Sequence, residues 1–221
     1  MARIKKGILG GVSGRVGSVV GGSWNGIDYV RSLPTSSNRS ASALQMTQRE
    51  KFRAMIRFLQ PVNDIVSIGF NSYANGMSAF NAAFSWNYHN ALSGDEATGY
   101  MVDYEKASLS KGTLSPVVQP VMQASANATI ALSWLDNSGT QNALGSDILY
   151  YVAVNPVTRE TVFQLNAARR DAAGLTVNLP VSWQGRTVHF LLGFVALGSL
   201  SGSNSRKNVS ETTWAGSIEV V

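Results

Sequence analysis

The chain has 221 residues, 44% of them apolar and only 14% charged, with a net charge of +5 and no cysteine. That length is enough to bury a sizeable core, and the missing thiols exclude disulfides, thiolate nucleophiles and cysteine-based zinc sites. The charge is uneven: residues 1–57 hold ten Lys or Arg against Asp28 and Glu50, and the remainder is net acidic. A basic N-terminal quarter points to an anionic partner, or to docking on the acidic part of a neighbouring copy. With so little charge elsewhere, the surface must be covered by Ser, Asn, Thr and Gly, or by a partner subunit.

Seven glycines fall between Gly7 and Gly22, and Arg15 interrupts them. No continuous apolar stretch results, so neither a secretory signal nor a membrane span is expected there. The chain is therefore expected to be made in the cytoplasm without membrane insertion. Glycine costs about 1 kcal/mol per helical position relative to alanine, which argues against a free-standing helix. Val16, Ser18 and Val20 instead alternate in a strand-like way, and Asn25-Gly26 is a strong hairpin signal because both residues accept the left-handed region. The return strand runs from Ile27 to Arg31 and ends before Pro34. Residues 1–34 are thus read as a basic, Gly-rich arm carrying a β-hairpin.

Residues 35–106 are read as a linker and a helical region. Ser42 and Gln45 have capping-box spacing, and a helix is expected to reach Gln60 with Phe52, Met55, Ile56 and Leu59 on one apolar stripe. Arg49, Lys51, Arg53 and Arg57 occupy mostly other faces. Pro61 breaks the pattern, Val62, Ile65 and Val66 give one or two more turns before Gly69, and a third helix is expected from Met77 to near Gly94. Asp103 and Glu105 form a close carboxylate pair, read as a solvated face of an extended segment.

From residue 107 the period changes from 3.6 to 2. Strands are expected at 113–121, 128–135, 147–154, 160–166, 174–179, 186–197 and 212–220, separated by turn residues such as Asp136 to Gly139 and Gln184-Gly185. Seven short strands at this spacing predict an antiparallel β-sandwich over 107–221, with Trp134 and Trp183 in its core. The fold class expected is mainly β with a helical connector of two or three short helices.

Catalytic chemistry is not visible. The two histidines, His89 and His189, lack a further ligand in metal-binding spacing, and no nucleophile elbow, dinucleotide fingerprint or phosphate loop occurs. No catalytic residue, metal or cofactor is expected. Trp24 and Trp86, placed away from the apolar stripes, are candidates for contacts with another domain or subunit.

The C-terminal pattern resembles fibronectin type III and related immunoglobulin-like modules in Trp134, Tyr150 and Tyr151, and in Leu175 to Pro180 leading into Val188 to Val195. The sequence from Met1 to Gly11, Trp24 to Pro34 and Gln48 to Phe52 resembles an uncharacterised family common in Bacteroidota. The order of hairpin and helix is similar to that of phage structural proteins. The function expected is a non-enzymatic structural subunit, self-associating as a homo-oligomer through Trp24, Ile27 and Tyr29, and concretely a phage or phage-derived virion component. The alternatives are a sequence-independent nucleic-acid-binding protein using Arg3, Lys5, Lys6 and Arg15, or a surface adhesion module.

Overall fold

The computed structural model describes residues 3–4, 10–24, 26–35, 40–200 and 208–221. They divide into two compact units, Met1–Ala43 and Leu44–Val221.

The first unit is a four-stranded antiparallel meander, larger than the single hairpin the sequence predicts. Its strands are β1 (Arg3–Ile4), β2 (Val12–Val16), β3 (Val19–Trp24) and β4 (Ile27–Ser32), in that spatial order. Trp24 pairs with Ile27, so β3 and β4 are joined by two residues. Gly26 has φ +80, the conformation for which the Asn-Gly signal selects. Asn25 itself lies outside the described residues. A second two-residue turn joins β2 to β3, where Val16 pairs with Val19.

The second unit begins one residue into helix α1 (Ala43–Leu59), which α2 (Asn63–Gly69) and α3 (Ala79–Asn90) follow. On α1 the buried stripe is Met55, Phe58 and Leu59, whereas Phe52 is exposed, with its ring 4.3 Å from that of Phe84 between centroids. The buried stripe is therefore rotated from the one expected, and Phe58 packs edge-on against the Tyr104 ring. Ser78 caps α3 by accepting a hydrogen bond from the Asn81 N–H. This helix stops earlier than expected. Residues 92–102 form a hairpin of β5 (Leu92–Asp95) and β6 (Gly99–Val102), whose turn is closed by Asp95 Oδ1 accepting from the Ala97 and Thr98 amides. Asp103 and Glu105 are not in an extended segment. They sit in a turn where Asp103 accepts from the Glu105 amide and pairs with Lys106 at 2.9 Å.

Seven strands follow: β7 (Val118–Ser125), β8 (Thr129–Leu135), β9 (Ile148–Val154), β10 (Thr161–Arg169), β11 (Gly174–Asn178), β12 (Thr187–Val195) and β13 (Thr213–Glu219). Only the first departs clearly from its predicted range. Residues 113–117 are held as a loop by Asn142, which donates to Thr113 O and accepts from the Ser115 N–H. The strand then begins at Val118, with a bulge before Val121 where Gln119 has φ 49. The sheet β11-β8-β7 faces the sheet β10-β9-β12-β13, and every pairing is antiparallel. This is an immunoglobulin-like sandwich of three strands against four.

The four-stranded sheet is covered on both faces. All seven residues of β9 are buried. Leu149, Tyr151 and Ala153 join Trp134, Trp183, Phe190 and Phe194 in the core between the sheets. Tyr150, Val152 and Val154 face the other way and pack with Leu59, Val66, Phe70 and Leu191 in a second core under the helices. Gly193, paired with Tyr150 across β12 and β9, makes room for the Tyr150 ring: a Cβ there would stand 2.5 Å from its hydroxyl oxygen.

Candidate assembly surface

The meander brings the predicted contact residues to one face. In an antiparallel pair, residues directly opposite share a face. Trp24 opposes Ile27, Gly22 opposes Tyr29, and Val20 opposes both Arg31 and Arg15. Trp24, Ile27, Tyr29, Arg15 and Arg31 therefore stand together. The Tyr29 ring lies over Gly22, close enough that a methyl group there would touch it at 3.0 Å. Arg15 Nε donates to Gly17 O across the tight turn. The opposite face carries Val16, Val19 and Val30.

Both faces are solvent-accessible. All six residues of β4 are exposed, with Trp24 61%, Ile27 65% and Val30 61% accessible. β4 is also an edge, hydrogen-bonded to β3 alone among the described residues. A sheet stable in water ordinarily covers at least one apolar face. Arg3 pairs with Ser13 in the register of β1 and β2. Lys5 and Lys6 lie outside the described residues.

Elsewhere, the polar groups act on packing. A buried network joins Ser110, Tyr150 and Thr212: Ser110 Oγ is 2.5 Å from Tyr150 Oη, which is 3.0 Å from Thr212 Oγ1. Burial pushes the Tyr150 hydroxyl up to about 12, against the opposing effect of those two hydrogen bonds, so it stays neutral and ties β9 to the loops at Ser110 and Thr212. Arg170, wholly buried, pairs with Asp147 at 3.1 Å and lies over the Phe194 ring at 3.7 Å. Sequence reading missed both groups, because neither sits in a motif. His89 has Nδ1 2.7 Å from Ser85 O on its own helix. His189 packs between Tyr104 and Trp214, at 4.6 and 6.3 Å between ring centroids. The two are thus built into different elements, α3 and β12. Among the described residues no three His, Cys, Asp or Glu are grouped to hold a metal ion, and no helix is long and apolar enough to cross a membrane.

Trp86 on α3 is 37% accessible and has the Lys111 ammonium 3.1 Å from its ring centre. Of the aromatic residues proposed for contacts, Trp24 is thus the more open. Fold and surface together define a mainly β protein, an immunoglobulin-like sandwich with a helical layer, preceded by an exposed glycine-rich sheet. The chain belongs to a family of unknown function, DUF6266, whose model matches residues 11–208. No curated protein matches it.

Proposed function

We propose that this protein is a non-enzymatic structural subunit that self-associates through its N-terminal sheet, as a component of a phage or phage-derived particle from a bacterium of the Bacteroidota. The source rests on the resemblance of the arm and hairpin motifs. The observation that carries the assembly reading is the exposure of apolar side chains on both faces of the β2–β4 meander, next to an open strand edge. Ordering such a segment costs about 1–2 kcal/mol per residue, and its glycines leave little side-chain area to offset that cost. Strand pairing with a second copy, anchored by Trp24, Ile27 and Tyr29, supplies the missing burial. Light scattering after size exclusion tests it. The full-length chain should be oligomeric, and deletion of residues 2–33 should leave a folded monomer. A full-length chain that is monomeric at high micromolar concentration overturns the reading.

A second reading, sequence-independent nucleic-acid binding, is favoured by one observation: Arg15 and Arg31 share a face with Trp24 and Tyr29, the combination that neutralises phosphates and stacks bases. Binding to single-stranded DNA should then weaken steeply with salt. No binding at low salt refutes it.

A further inference from the structure

A groove of about 670 Å³ opens in the second unit. Three stretches of chain far apart in sequence line it: α1 from Glu50 to Phe58, the β5–β6 hairpin from Glu96 through Val102, and the β9–β10 turn from Pro156 to Thr161. Its size is that of a small-molecule site.

Two observations give it a chemistry. Three guanidiniums line the groove, from Arg53, Arg57 and Arg159. None is engaged in an ion pair: the ion pairs among the described residues are Lys106–Asp103, Arg169–Asp171 and Arg170–Asp147. Arg53 and Arg57, one turn apart on α1, are neighbours on the same helix face. The Lys51 ammonium stands 4.9 Å over the ring of Tyr100, one of the lining residues. Glu50 and Glu96 also line the groove and leave the cations in excess. The second observation is an apolar floor. Phe58, Val102 and Val154 are buried there, and the Tyr104 ring meets Phe58 edge-on at 5.8 Å.

The backbone of Arg159 is set by its turn. It has φ +62, a conformation costly for a residue with a Cβ. The turn imposes it: Asn155 Oδ1 accepts from the Val157 and Thr158 amides, and the Arg159 N–H donates to Asn155 O at 2.8 Å. The charge of Arg159 reaches the floor, where it opposes the burial that raises the Tyr104 hydroxyl.

The geometry points to a binding site for a small organic anion: a carboxylate or phosphate held by Arg53, Arg57 and Arg159, on an apolar or planar body that rests on Phe58 and Tyr104. Guanidinium forks match both anions bidentately.

Calorimetric titration of the full chain tests this with phenyl phosphate and phthalate, and with inorganic phosphate as the charge-only probe. Saturable binding of either aromatic anion, about tenfold or more tighter than inorganic phosphate, is expected. The stronger of the two identifies the head group. Arg57→Gln and Arg159→Asn should each weaken it about tenfold to a hundredfold, because each removes a charge-assisted contact. Asn tolerates the left-handed backbone at 159, and Arg57 is on an exposed helix face, so at least one variant keeps its fold, checked by its melting curve. Arg15→Gln, in the N-terminal sheet, should leave the affinity unchanged. Neither aromatic anion binding, or binding that survives both groove substitutions, overturns the inference whatever the oligomeric state.

Discussion

Arg170→Met tests the tertiary account of the sandwich most sharply. The guanidinium is wholly buried. Its Nε donates to Asp147 Oδ2 at 3.1 Å, its Nη1 to Asn137 Oδ1 at 2.5 Å and its Nη2 to Ser115 O at 2.9 Å. Removing it strands Asp147, 1% accessible, whose Oδ2 then accepts only from the Leu144 amide and whose Oδ1 has no partner at all. An uncompensated buried carboxylate costs about 3–5 kcal/mol. That is about a fifth or more of the stability of an ordinary domain, about 5–15 kcal/mol. The Met side chain recovers part of the packing on Phe194 but none of the hydrogen bonds. Adding Asp147→Asn to Arg170→Met removes the stranded charge and keeps an acceptor for the Leu144 amide. The double variant should therefore be more stable than Arg170→Met alone, giving a coupling energy of about 2 kcal/mol or more. Urea unfolding of the wild type, both single variants and the double variant measures this. A loss below about 1 kcal/mol for Arg170→Met, or strictly additive losses, would refute the view that this pair pins the end of the sandwich.

Two other outcomes follow from the same packing. Trp134→Ala should cost about 3–5 kcal/mol, since the ring is buried against Phe194 and its Nε1 donates to Arg170 O at 3.0 Å; a thermal melt within about 1 kcal/mol of the parent would mean the ring is not part of the core. Burial lowers the folded-state pKa of His189 from its ordinary 6.5, with the charge of Asp103 opposing. The unfolded chain therefore takes up that proton first as the pH falls. Stability from this group is complete above 6.5, is lost as the pH drops below it, and levels off once the folded form is protonated. His189→Gln should flatten the fall in melting temperature between pH 7 and pH 5, and an unchanged pH profile would show that other groups control it.

What could be read in the residues themselves is the local part of the fold. The alternation of Val188, Phe190, Leu192 and Phe194, the Asn-Gly step before Ile27 and the turn residues between strands act over a few positions, and the elements appear where those signals stand. The strand expected at 147–154 forms, but that both of its faces are buried is not among the expectations read from the residues. Tertiary structure alone decides that. It lays the helices on the Tyr150 face, pairs Arg170 with an Asp 23 residues away, and gathers the groove from residues 50–58, 96–104 and 154–161. It also puts Arg15 and Arg31 beside Trp24 and Tyr29 through strand register. Periodicity reports which face of an element is apolar. It carries no record of the distant segment that meets that face, because such contacts depend on loop closure and on the free energy of the whole core rather than on neighbours in the chain.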